Sequence, residues 1–212
     1  MNRKRKEKNL EKVTNAQLEE IMPAAGSKIL DYANYINGYA ERFDINTPKR
    51  MAYYLAFVAF VTLQFRRVTE FGNDEDFAKY DNKYGNSEKG DGAKYKGRGL
   101  LLLKGKDKYQ EYNKVHRVGN VVVKPELLAK PLGAVKSSMW LWNNSLFNVY
   151  ADQDDFVSIG HKLHLTHCDI SMVEVYLQRA LKTLQNEKKD IDSHHACGDT
   201  CRVRHKKDSQ RD

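Results

Sequence analysis

The chain reads as a mainly α-helical domain with one long Gly-rich insertion between helices, and three observations predict this. Apolar residues recur at helical spacing over most of residues 27–66 and again over 132–184. The segment "MAYYLAFVAFVTLQF" (51–65) is apolar nearly all round, as a helix at the centre of a fold must be. Between Phe71 and Gly99 the periodicity dissolves into a run dominated by Gly, Asn and Asp. With 212 residues and 41% hydrophobic content, the chain has enough apolar surface for a real core.

Taken in order, residues 1–20 read as a basic lead that opens on "NRKRKEK", with helical pattern starting near Asn15. Ser27 is a candidate N-cap for a helix whose apolar face is Ile29, Ala33, Ile36, Ala40 and Phe43. "DINTPKR" closes that helix and opens the next: Thr47 can cap the incoming amides, and Pro48 suits the first helical position, where no amide partner is lost. The central helix is expected over about 48–66. After the Gly-rich insertion, "LLLLKGKDKYQEYN" is expected to begin as a short strand and continue as a helix. Pro125 and Pro131 punctuate the passage into "LGAVKSSMWLWNNSLFNVY", again helical in spacing, and a last helix runs through "SMVEVYLQRALKTL". Residues 185–212 read as a polar, flexible tail, which leaves 21–184 as the folded domain.

The formal charge of +8 favours anionic partners, but much of the excess sits in the lead, so charge alone nominates no nucleic-acid partner. Three cysteines cannot form a closed disulfide set, which suits a reducing compartment. The basic start is followed by "NLEKVTNAQLEEIM" rather than an apolar segment, so no secretory signal and a cytoplasmic site of synthesis are expected. The apolar run at 51–65 is shorter than the ~20 residues that cross a bilayer, so no transmembrane segment is expected. No cofactor is implied. The tail holds His194, His195, Cys197, Cys201 and His205, types that bind zinc, but at loose spacing. His161, His164 and His167 can share a helical face, yet a loop reading is preferred to a metal triad, and no metal is expected.

"GDGAKYKGRG" (90–99) fails as a phosphate cradle, since it lacks both the dinucleotide fingerprint and G-K-[ST]. Its glycines read as tight turns, with Tyr95 and Arg98 fixing them. In the order in which they occur, "IMPAAGSKILDYANYINGYAERFDINTPKRMAYYLAFVAF", Glu70, "KYGNSEKGDGAKYKGRGLLLLKGKDKY", "SMWLWNN" and "YLQRALKTL" resemble glycoside hydrolase family 19, the chitinases and phage-type endolysins of the lysozyme-like superfamily. The resemblance covers residues 21–184. It implies a two-lobed helical fold with a cleft for β-1,4-linked N-acetylglucosamine polymers, chitin or peptidoglycan, and a monomeric protein. It also implies an inverting hydrolysis in which one glutamic acid protonates the leaving oxygen while a second glutamate activates water on the opposite face. Such a protein would leave its cell by a route other than a classical signal, as in phage lysis or a secretion system.

In "AFVTLQFRRVTE" (59–70) the family's His-Glu-Ser corresponds to Phe60, Val61 and Thr62, and its second glutamate to Glu70. Glu70 therefore falls at the general-base position and Val61 at the general-acid position, where valine has no proton to give. Neither Glu75 nor Glu88 matches the vacant role. Past the Gly-Arg-Gly, Leu102 and Lys104 replace a glutamine and a threonine or serine that face sugar, and Lys108 and Tyr109 replace an Asn-Tyr pair. The family's Ile-Asn-Gly-Gly corresponds to Leu163–Thr166, which puts His164 where the water-holding asparagine sits. The resemblance thus assigns Glu70 to catalysis and Tyr95, Arg98, Lys104 and His164 to substrate contact. The reading of the residues alone gives Glu70 a second role, a surface ion pair with Arg66 or Arg67.

Overall fold

The computed structural model describes residues 11–116 and 119–196. Among them it is helical, with isolated bridges but no extended strand. The helices are α1 (Asn15–Ile21), α2 (Lys28–Tyr39), α3 (Pro48–Val61), α4 (Asp91–Lys94), α5 (Lys106–Val115), α6 (Pro131–Asn144), α7 (Phe147–Asp152), α8 (Phe156–Lys162) and α9 (His167–Ala196). Short 3-10 segments at Ala40–Phe43, Glu75–Tyr80 and Pro125–Ala129 fill the connections.

α3 is the axis of the fold. Every residue from Met51 to Ala59 is buried, and the helix packs chiefly along α9. Its start follows the expected chemistry: the Thr47 hydroxyl accepts the Arg50 amide at 3.2 Å, and Pro48 occupies the first turn. Thr47→Ala should lower stability by about 1 kcal/mol, read as a shift in the midpoint of urea unfolding. α6 closes the core from the other side, with Trp142 fully buried edge-on to Tyr54 and its indole N–H donating to Asn148 Oδ1 at 2.8 Å.

Several boundaries differ from the sequence reading. α1 begins with a capping box at Thr14 and Gln17, and Val13 and Leu18 are buried, so the folded unit starts before residue 21. Ser27 sits at the N-cap of α2 but makes no side-chain cap bond. The expected strand at Leu100–Leu103 is a turn, tied by a bridge between Arg98 and Leu103 and by the Leu100 amide donating to the Ala134 carbonyl at 3.3 Å. α9 continues past Leu184 to Ala196, although Leu184 is the last buried residue among the described side chains. Cys197, Cys201 and His205 of the tail lie outside the described residues.

The most consequential difference is at the end of α3, which stops at Val61 rather than near Arg66. The Thr62 hydroxyl donates to the Val58 carbonyl at 2.6 Å and accepts the Phe65 amide at 2.7 Å, which closes the helix locally. Leu63, Gln64 and Phe65 then all take left-handed backbone, at φ 49, 61 and 64. That conformation costs on the order of 1–2 kcal/mol per non-glycine residue, and tertiary contacts hold it. Phe65 is buried against the Tyr32 ring at 4.7 Å. The Gln64 amide group accepts from the Ala24 N–H at 2.7 Å and donates to the Tyr176 hydroxyl at 3.0 Å. The turn sends residues 66–70 back along the Gly-rich lobe, so Val61 ends a helix while the Glu70 amide pairs with Gly97.

Candidate functional site

The Gly-rich stretch folds into a small lobe built on backbone pairing. The Glu70 amide donates to the Gly97 carbonyl at 2.8 Å, the Gly99 amide to Val68 at 2.9 Å and the Arg98 amide to Leu103 at 3.0 Å. Two glycines are required here by space. A Cβ on Gly97 would lie 3.0 Å from both Glu70 Oε2 and the Leu102 Cβ. Gly99, at φ +88, would bring its Cβ to 2.5 Å from Ser137 Oγ. Tyr95 is 1% exposed and its hydroxyl donates to the Val122 carbonyl at 3.1 Å, so it anchors the lobe and presents no face to sugar. Arg98 is half-buried and bonded within the lobe, donating to the carbonyls of Lys94 (2.7 Å) and Lys96 (3.3 Å) and to the Tyr109 hydroxyl (3.0 Å).

Glu70 is held on both carboxylate oxygens. Oε1 accepts from the Tyr80 hydroxyl at 2.7 Å and from Lys104 Nζ at 3.0 Å, while Oε2 accepts from the Gly97 amide at 2.9 Å. Lys104 also donates to the Tyr80 hydroxyl at 3.0 Å and lies over the Tyr80 ring, 4.5 Å from its centroid. The ion partner of Glu70 is therefore Lys104, and not the Arg66 or Arg67 close to it in sequence. Burial pushes the Glu70 carboxyl up, but the bonds from Tyr80, Gly97 and Lys104 outweigh it and leave the group below its ordinary value of 4.5. Burial lowers Lys104, and its contacts with Tyr80 and Glu70 outweigh that in turn, so the ammonium is held above its ordinary value. Of roughly four acceptor positions on a carboxylate, three are taken.

A cavity of about 500 Å³ opens between the lobes. It brings together Val61, Leu102, Lys104, Lys108 and His164, which are far apart in the chain. Glu70 is not among its lining residues; Lys104 is, and reaches from the wall back to Glu70. Among the described residues no aspartate or glutamate lines this cavity. Glu75 lines a separate cavity beside Arg98, and Glu88 is exposed, 3.8 Å from Lys106 Nζ. His164 is exposed on the turn between α8 and α9, at φ 59. His161 and His167 lie on two different helices, so the three do not share a face, and no cluster of metal-ligating side chains occurs among the described residues.

Two participants escaped the sequence reading, Tyr80 and the Gly97 amide. Tyr80 sits on a short 3-10 segment inside an unpatterned stretch, where no periodicity marks which way a side chain points. A backbone amide carries no residue-type signal at all.

No family model matches this chain. Solved structures do. A family GH19, class IV chitinase from Zea mays superposes with a TM-score of 0.62 at 18% identity, covering 82% of this chain and 92% of that one. Chitinase C from Streptomyces griseus HUT6037 gives 0.60 at 18% identity over 82% and 76% of the two chains. A bacterial family 19 chitinase gives 0.56 at 16% identity over 80% and 95%. At these identities the likeness is one of fold: mainly α, two-lobed and chitinase-like. Among the described residues no helix is long and apolar enough to cross a membrane.

Proposed function

We propose that this chain is a chitinase- or endolysin-like protein, of the class that acts on β-1,4-linked N-acetylglucosamine polymers, in which the hydrolytic step is lost or nearly so. The observation that carries the reading is the cavity with Val61 in its wall and no carboxylate among its lining residues. An inverting hydrolase needs an acid on one face of the sugar and a base on the other, roughly 6.5–9.5 Å apart, with room for water between. A valine cannot donate a proton, and no change of environment can make it do so. Glu70, which lies outside the cavity lining, is ionised and bonded to Tyr80, Gly97 and Lys104, which makes it a poorly placed and weak base.

The test is release of reducing ends from glycol chitin and from purified peptidoglycan by the unaltered chain. Background release is the expected result, and sustained turnover that Glu70→Gln removes would overturn the reading. A second reading, a non-catalytic glycan- or partner-binding protein on the same fold, is favoured by the asymmetry of the site: the packing residues Trp142 and Tyr95 are kept in place while polar cleft positions carry Leu102 and Lys104. Co-sedimentation with peptidoglycan and with chitin beads tells the two polymers apart. The unit responsible is proposed to be residues 21–184 with the α1 segment, residues 185–212 being dispensable for glycan contact.

A further inference from the structure

The chemistry of the cavity points away from a neutral sugar. Its walls are mainly aliphatic, with Val61, Leu63, Leu102, Leu141, Leu163 and Leu165 beside the rings of Phe60, Tyr84 and Phe147, and its charged groups among the described residues are all cationic: Arg67, Lys104, Lys108 and Lys162, with His164 beside them. A neutral glycan calls for several hydroxyl and amide partners, whereas among the described residues this lining offers two uncharged polar side chains, Tyr84 and Ser145. Two of the cations are already engaged, Lys104 with Glu70 at 3.0 Å and Lys108 with Glu111 at 2.7 Å. Arg67 and Lys162 have no carboxylate partner among the described residues and rest instead on rings, Arg67 over Phe71 at 4.7 Å and Lys162 over Tyr150 at 5.5 Å. Arg67 belongs to the turn after α3 and Lys162 to the end of α8, so positive charge reaches the cavity from two separate elements.

From this we infer that the cavity binds an anionic amphiphile: a single apolar chain seated against the leucines, with a carboxylate or phosphate head held by Arg67 and Lys162. The volume of about 500 Å³ falls within the range of about 300–1,000 Å³ typical of small-molecule sites. Burial of the chain supplies affinity in proportion to apolar area, and the unpaired cations supply the preference for an anion. This goes beyond the glycan reading and does not depend on it, although a chain held at Val61 would occupy the place where that reading puts the acid.

The experiment is calorimetric titration of the full chain, below micelle concentrations, with decanoate, decyl phosphate, decanol and inorganic phosphate. Decanoate and decyl phosphate should bind one per chain, with decanol at least about tenfold weaker, the equivalent of one useful charge contact. Arg67→Met and Lys162→Met should each weaken both anions by about tenfold and leave decanol unchanged. Leu102→Asp, which puts a charge on the apolar wall, should abolish binding of all three chains. The inference is overturned if decanol binds as tightly as decanoate, if inorganic phosphate binds as tightly as decyl phosphate, or if the two Met variants change nothing. Absence of any binding also overturns it and leaves the glycan reading intact, because wall and chitin co-sedimentation reports on that separately.

Discussion

Val61→Glu alone should leave hydrolysis close to background, and Val61→Glu combined with Lys104→Thr should exceed the single variant by at least about tenfold. The first substitution returns a carboxyl group to the cavity wall at the end of α3, where positioned acids contribute about 10²–10⁴-fold. The acid is only half of the chemistry. Glu70 would still be tied to Lys104 at 3.0 Å and Tyr80 at 2.7 Å on one oxygen and to the Gly97 amide on the other. A base in that state has a depressed affinity for protons and little lone-pair density left to orient a water. Removing the ammonium frees Oε1 in part and lets the carboxyl rise toward its ordinary value. Lys104 also lines the same cavity as Val61, so its ammonium would favour the ionised form of a carboxyl introduced there, which needs to be protonated. On the proposed reading, one lysine therefore opposes both the acid and the base. Reducing-end release from glycol chitin, followed for the unaltered chain, both single variants and the double variant, reads the interaction directly. Robust activity of Val61→Glu alone would show that Glu70 leaves Lys104 when substrate binds.

How much of this was legible in the sequence depends on where each signal lives. The helices were, because burial on one face imposes a period that the residues carry: α2, α3, α6 and α9 lie where the apolar spacing predicts them. The end of α3 was not. Leu63 and Phe65 continue the apolar pattern as if the helix went on, while the structure turns at Thr62 through a hydroxyl bonded to Val58 and Phe65. Periodicity reports which residues are buried and is silent on whether the backbone beneath them is still helical. The short strand at Leu100–Leu103 failed for the related reason that an apolar tetrad fits a buried turn as well as a strand. Within the site, Lys104 and His164 line the same cavity as Val61. Tyr95 and Arg98 donate chiefly to main-chain carbonyls, which no residue pattern announces, with the Tyr109 hydroxyl a further partner of Arg98. The partner of Glu70 was misread for want of geometry: Arg66 and Arg67 are near in sequence, but the turn after α3 points them elsewhere and leaves Lys104, thirty-four residues on, to close the pair.

The same carboxylate should matter to stability more than a surface ion pair does. Glu70→Gln is expected to cost about 1–3 kcal/mol, the range for stripping a half-buried charge-assisted hydrogen-bond centre of its charge. The side chains of Glu70 and Lys104 are 18% and 30% exposed, so solvent screens the pair only in part. The sign of the pH dependence follows from the two shifts. Glu70 is depressed in the folded state, so its contribution is present above its ordinary value of 4.5 and fades as pH falls through the lower folded value. Lys104 is raised, so its contribution is present below its ordinary value of 10.5 and fades as pH rises through the higher folded one. The stability gap between the unaltered chain and Glu70→Gln should therefore be flat between about pH 5 and pH 9 and shrink on acidification below 4.5. Lys104→Met, compared in the presence and absence of Glu70→Gln, isolates the pair from the Tyr80 and Gly97 bonds, which survive the lysine's removal. Urea midpoints measured across that pH range supply all four values. A gap that does not change with pH would mean that Glu70 acts through packing alone, and the case for a charged carboxylate holding the lobe together would fail with it.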